Sequence, residues 1–233
     1  MAERQKIVYH AKLAEQDELY ADVVDSMKKA AKLDPNFTAE ERDLLSIGCK
    51  NMIAEKRKSW RVLSSMEQKD EEKGNGANVK RMAESRRKLE SEITNFCNDI
   101  VTLIDEYLLP FASGFESSVF YYKMKGDFYR YVAEIKIGDE EKEAADHSME
   151  AYETGFKVAK ANLAPTNLVR LNLALNFAVF YYAILNLPER ACCLAQQACD
   201  EAKPGLERSN EQSCKHSIST LKLLESNIKL WTS

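Results

Sequence analysis

Met82, Leu89, Ile93, Phe96, Ile100, Leu103 and Tyr107 recur at steps of seven, four and three residues, the spacing that gathers apolar side chains on one face of an α-helix. Strand-like alternation is absent, so this periodicity restricts the chain to an all-α fold. Only 8 Gly and 5 Pro interrupt 233 residues, and hydrophobic residues at 45% can supply a helical core while charged residues at 30% keep it wetted.

The local signals predict about nine helices. The first runs from about Glu3 to Asp17. The second ends at Asp34-Pro35, because the residue before a proline is pushed out of the α region. Thr38 and Glu41 have the spacing of a capping box, which opens a long third helix to about Lys69. Lys73-Gly74-Asn75-Gly76 breaks the chain, and the stripe that follows is ended by Pro110. Ser113 and Glu116 suggest a second capping box, opening an aromatic-rich helix expected to stop at Gly138. Four more helices follow, separated near Ala164-Pro165-Thr166, Leu187-Pro188 and Pro204-Gly205. Short connections favour antiparallel neighbours in a bundle or solenoid.

The formal charge of −4 provides no global positive field, which argues against nucleic acid and acidic lipid as partners. The most apolar stretch, Leu168 to Leu185, is interrupted by Arg170, Asn172 and Asn176, so it reads as a buried helix and not a membrane span. Six Cys lack paired metal-ligand spacing and the start lacks an apolar targeting region, which fits a reducing, cytoplasmic setting. Cys192-Cys193 is expected to pack in a helix interior. His10, His147 and His216 stand far apart without a carboxylate or Cys at a recognisable spacing, and no Gly-rich phosphate loop occurs. The expectation is a protein without catalysis, metal or cofactor.

Two helices carry charges in register. Lys50, Arg57 and Arg61 share one face of the third helix, while Leu45, Cys49, Met52 and Leu63 occupy another. On the fifth, Lys123, Asp127 and Arg130 follow the i, i+4, i+7 pattern with Tyr131 beside the arginine. Spacing alone leaves two readings open: ordinary solvated faces, or an anion site. A phosphate group carries about −1.5 to −2 charges and three acceptor oxygens, and Arg forks with a hydroxyl suit it. Two later helices carry apolar stripes with one amide each: Leu175, Asn176, Val179 and Ala183 on one, and Leu223, Asn227, Leu230 and Trp231 on the other. Such an Asn is either a satisfied core group or a clamp for the backbone of an extended peptide.

Several strings carry a resemblance: Ala11-Lys12-Leu13-Ala14-Glu15-Gln16, Glu41-Arg42-Asp43-Leu44-Leu45-Ser46, Lys58-Ser59-Trp60-Arg61-Val62, Tyr122-Lys123-Met124-Lys125-Gly126-Asp127 with Tyr129-Arg130-Tyr131, Leu173-Ala174-Leu175-Asn176-Phe177, and Leu230-Trp231-Thr232-Ser233. Over nearly its whole length the chain resembles 14-3-3 proteins. The resemblance implies nine antiparallel helices in an L-shaped protomer with a concave amphipathic groove. It implies a single domain over 1–233, with about 1–110 serving dimerisation and the groove floor and about 111–233 the groove wall. It also implies an adaptor that binds phosphoserine or phosphothreonine peptides of client proteins, and a homodimer or a heterodimer with another 14-3-3 protein.

By the same resemblance, Lys50, Arg57, Arg130 and Tyr131 take phosphate. Asn176 and Asn227 take the peptide backbone, Leu175, Val179, Leu223, Leu230 and Trp231 line the groove, and Lys123 lies alongside. Leu13, Asp22, Leu63, Met66 and Lys88 fall at the dimer interface. The sequence departs from the family pattern at Ala183, where a Glu is usual, and at Thr220, where a larger aliphatic residue is usual. Leu19, Asp17 and Ser85 depart from it near the dimer interface, and Ser59 resembles a position whose phosphorylation would loosen the dimer. A tetratricopeptide-like scaffold is the main alternative, suggested by Ala30-Ala31-Lys32-Leu33-Asp34-Pro35, although no sustained 34-residue period occurs.

Overall fold

The computed structural model describes residues 2–207 and 211–232; Ser233, the last residue of the resembling C-terminal string, lies outside the described residues. Among the described residues there are nine α-helices and no strand. α1 (Ala2–Gln16), α2 (Tyr20–Leu33), α3 (Ala39–Glu72) and α4 (Gly76–Leu103), extended by a π-helical turn at Ile104–Leu108, form one compact unit, Met1–Phe111. α5 (Phe115–Ile135), α6 (Asp139–Asn162), α7 (Leu168–Ala183), α8 (Pro188–Glu207) and α9 (Glu211–Thr232) form another, Ala112–Ser233.

In the first unit the helix boundaries follow the expected chemistry. Asp34 is extended ahead of Pro35 (φ −156°, ψ 109°), which stops α2. The Thr38 hydroxyl accepts from the Glu41 amide at 3.3 Å while the Glu41 carboxylate accepts from the Thr38 amide at 2.9 Å, completing the capping box. Glu41 also receives both Arg4 guanidinium nitrogens, at 2.7 and 3.0 Å, which ties α1 to the start of α3. Burial would raise the Glu41 carboxyl, but the donors from Arg4 and Thr38 outweigh it and hold it below its ordinary range. Thr38→Ala is expected to lower the free energy of unfolding by about 1 kcal/mol, read in urea denaturation.

Two expectations for this unit shift in detail. α3 runs to Glu72, three residues beyond Lys69. The apolar stripe of α4 buries Ile93, Ile100 and Leu103, but beyond Leu103 the phase changes. In the π turn the Leu109 amide reaches the Ile104 carbonyl at 2.8 Å, a five-residue step that widens the helix and turns Ile104 and Leu108 to the core in place of Tyr107.

The second unit corrects three boundaries. The box that opens α5 is displaced by one residue: Gly114 precedes the helix, and the Ser117 hydroxyl accepts from the Gly114 amide at 3.1 Å while donating to the Gly114 carbonyl at 2.7 Å. Glu116 instead accepts from the Asn167 side chain at 2.8 Å. α5 stops at Ile135, since Lys136 is extended, and Gly138 begins α6 with the positive φ of 66° that glycine adopts without steric cost. The break expected near Pro204-Gly205 falls a few residues later, after Glu207. α8 passes through Pro204 to Glu207, and that last turn buries Leu206 in a core with Ala195, Cys199 and Ala202 of α8, Leu171 and Ala178 of α7, and Leu221 and Leu224 of α9. Burying a leucine contributes about 1.5–3 kcal/mol, enough to offset much of the strain a mid-helix proline introduces.

Candidate functional site

Asp127, on α5, is the hub of a buried polar cluster in the second unit. It is 2% exposed and Lys123, one turn earlier on the same helix, is 3% exposed. The Lys123 ammonium donates to Asp127 Oδ2 at 2.9 Å, and Arg130 Nη2 stands 3.6 Å from Oδ1. α6 supplies Tyr152, whose hydroxyl donates to Asp127 Oδ1 at 2.5 Å and accepts from Arg130 Nε at 3.3 Å. α7 supplies Asn176, whose amide nitrogen donates to both carboxylate oxygens at 2.8 and 2.9 Å. The Arg130 guanidinium lies over the Tyr131 ring at 4.6 Å from its centre. Lys123 and Asp127 therefore do not lie on an ordinary solvated face.

The electrostatics follow from this geometry. Burial would raise the Asp127 carboxyl, but the charges of Lys123 and Arg130, with donors from Lys123 and Tyr152, bring it down to about 2, so it is ionised at neutral pH. Burial and the Asp127 charge push the Tyr152 hydroxyl well above its ordinary value, so it stays a proton donor. Burial works against the charged guanidinium of Arg130, but Tyr152, Tyr131 and Asp127 more than offset it and hold its pKa above the ordinary value. Lys123 and Arg130 thus flank one carboxylate, and each is held by hydrogen bonds within the cluster.

Close helix approach makes the cluster possible. At Gly126 an added Cβ would lie 2.6 Å from two atoms of the Tyr152 ring, and the Gly126 carbonyl accepts from the buried Ser148 hydroxyl of α6 at 2.9 Å. Gly126→Ala should therefore force the Tyr152 ring off Asp127. A loss of about 1–3 kcal/mol in urea denaturation is expected, typical of an overpacked core.

Within the second unit the structure gathers several of the predicted residues. Lys123, Arg130, Tyr131 and Asn176 converge around Asp127. Lys50, Arg57 and Arg61 stand on α3 in the Met1–Phe111 unit, Lys50 and Arg61 exposed and Arg57 half-buried. On α7 and α9, Leu175, Val179 and Asn227 are half-buried, while Leu223 and Leu230 are 55% and 67% exposed. Trp231 stacks on Tyr182 with ring centres 5.0 Å apart and packs against the α7–α9 core. Thr220 is buried and its hydroxyl donates to Asn172 at 3.1 Å, so its polarity is absorbed between α7 and α9 and does not roughen an open wall. Leu13, Asp22, Met66 and Lys88 are exposed, Leu63 half-buried, and Ser59 exposed.

Cys193 is a correction: it is exposed, with Cys192 half-buried, and neither sits in a helix interior. Cys49, Cys97 and Cys199 are the buried cysteines, and burial pushes the Cys97 thiol up to about 12. Among the described residues no group of three or more His, Cys, Asp or Glu could hold a metal ion, and no helix is long and apolar enough to cross a membrane. Sequence reasoning missed Tyr152 and Ser148. Nothing marks them locally, since their roles depend on α6 lying against Gly126.

The polar cluster is thus buried within an all-helical scaffold. A family profile described as 14-3-3 protein matches residues 10–232. The chain is 58% identical over 231 residues to 14-3-3-like protein C of Glycine max, covering 99% of this chain and 90% of that relative. It is also 58% identical to 14-3-3-like protein B of Vicia faba and 55% identical to 14-3-3-like protein GF14 epsilon of Arabidopsis thaliana, covering 99% of this chain and 88% and 91% of those relatives. The chain belongs to the 14-3-3 family, which sets the tetratricopeptide-like alternative aside.

Proposed function

We propose that this protein is an adaptor that clamps phosphoserine or phosphothreonine segments of client proteins and regulates their signalling without catalysis. Family membership supports the phosphopeptide-binding role, and the observation that carries it here is the Asp127 cluster. An anion-binding Arg is most effective when its guanidinium is fixed before the ligand arrives. Tyr152 and Asp127 fix Arg130, and the Tyr131 ring supports it from one side. In this proposal Arg130 and Tyr131 take the phosphate together with Lys50 and Arg57, the positions the family resemblance assigns, and Lys123 contributes field.

Asn176, anchored on Asp127 through its amide nitrogen, presents its carbonyl end to a peptide N–H, and Asn227 plays the matching part on α9. Leu175, Val179, Leu223, Leu230 and Trp231 form the apolar wall; the exposure of Leu223 and Leu230 supports a surface kept open for a ligand. Ala183 removes an acid from this wall and leaves the groove more positive than the family pattern. The protein acts in the cytoplasm as a homodimer or as a heterodimer with another 14-3-3 protein, through Leu13, Leu63 and Met66 with Asp22 paired to Lys88.

The test is a calorimetric titration with a phosphoserine peptide and its unphosphorylated twin. Two charge-assisted hydrogen bonds, each about 1.5–3 kcal/mol, predict a preference of at least about a hundredfold for the phosphorylated form. Equal affinity would refute the proposal.

A further inference from the structure

A cavity of about 520 Å³ opens among α6, α7 and α8, within the size range of small-molecule sites. None of the residues assigned above to phosphate or peptide lines it. Phe156, Phe177, Tyr181 and Leu194 form its apolar part, while Lys157, Arg190 and Glu153 bring charge and Cys193 a thiol. The aromatic rings make a ladder: Tyr152 stacks on Phe177 at 5.3 Å and 23°, and Phe177 stacks on Tyr181 at 4.6 Å and 25°. Phe156 meets Phe177 edge-on at 6.1 Å. The ladder therefore runs from a fully buried phenol to the half-buried ring of Tyr181 in the cavity.

Charge complementarity selects the ligand. Lys157 and Arg190 against Glu153 leave one surplus positive charge. Glu153 and Arg190 line the same cavity as Tyr181, whose hydroxyl burial and Glu153 push above its ordinary value while Arg190 pulls it the other way. We infer that this cavity is a binding site for a small planar aromatic carboxylate, its ring continuing the stack at Tyr181 and its carboxylate held by Arg190 and Lys157. The planar fork of Arg190 matches a carboxylate in two parallel hydrogen bonds, and an added ring gains the offset-stacked geometry that aromatic pairs prefer. The inference is independent of the phosphopeptide reading, because it uses none of the same side chains.

The experiment is a calorimetric titration of the full chain with 2-naphthoate and with the neutral isostere 2-naphthamide. One naphthoate should bind per chain, about tenfold more tightly than naphthamide, as expected for one charge-assisted contact. Arg190→Gln should weaken naphthoate about tenfold and leave naphthamide unchanged. Cys193→Phe, at an exposed helical position, should intrude on the cavity and weaken binding of both with an unaltered circular dichroism spectrum. Lys50→Glu and a saturating phosphoserine peptide should have no effect. The inference is overturned by equal affinity for the two compounds, by unchanged binding in Arg190→Gln or Cys193→Phe, by displacement with the phosphopeptide, or by no binding of naphthoate at all.

Discussion

Asp127→Ala is expected to lower the free energy of unfolding by about 3–5 kcal/mol in urea denaturation, the range for removing one partner of a buried ionic cluster. The loss is large because Lys123 and Arg130 would remain buried without an anion, and the Tyr152 hydroxyl and Asn176 amide would lose their acceptor. Asp127→Asn keeps the shape and part of the hydrogen bonding, so it should cost less than the alanine variant. The pH dependence separates charge from shape. A carboxyl whose folded value lies near 2, below its ordinary 3.8, contributes stability that is fully present above pH 3.8 and is lost as pH falls toward 2. The stability difference between wild type and Asp127→Asn should therefore be constant above that window and shrink within it. A cost below about 1 kcal/mol for Asp127→Ala would mean that water reaches the cations and the cluster is not buried.

Lys50→Glu has the largest expected effect on binding. Deleting one charge-assisted contact to phosphate costs about 1.5–3 kcal/mol, and reversing the charge adds repulsion, so affinity for a phosphoserine peptide should fall by more than about tenfold. Stability should hardly change, since Lys50 is exposed. Arg130→Gln offers the contrast: it should weaken binding and also destabilise, because Arg130 belongs to the buried cluster. If Lys50→Glu bound the phosphopeptide as tightly as wild type, the assignment of α3 to phosphate recognition would fail.

Much of the fold was legible in short stretches of sequence. The Thr38 to Glu41 box, the stop at Asp34 and the breaks at Gly74-Asn75 and Pro188 depend on residue types within four positions of the backbone they shape. Boundaries failed where distant burial outweighed a local signal. Pro204 should end a helix by its own chemistry, yet Leu206 finds a core made by α7 and α9. Ser113 has the composition of a cap, but Ser117 reaches the Gly114 backbone first. The π turn at Ile104 is another such case, since nothing in a 3.6-residue period announces a five-residue step.

The two cationic faces mark the same division. Spacing placed Lys50, Arg57 and Arg61 in one row and Lys123, Asp127 and Arg130 in another, with no means of ranking them. The pattern of cations and apolar residues, the helices and their caps follow from the sequence alone, because they are governed by the geometry of a single helix. That Lys123 and Asp127 are dry, and that Asp127 is held by Tyr152 and Asn176 from 25 and 49 residues away, is decided only by tertiary packing. The physical reason is that the strength of a charge cluster depends on the water excluded around it, and exclusion is a property of the elements packed over it. Here those are α6 and α7, brought close to α5 where Gly126 leaves room for a ring.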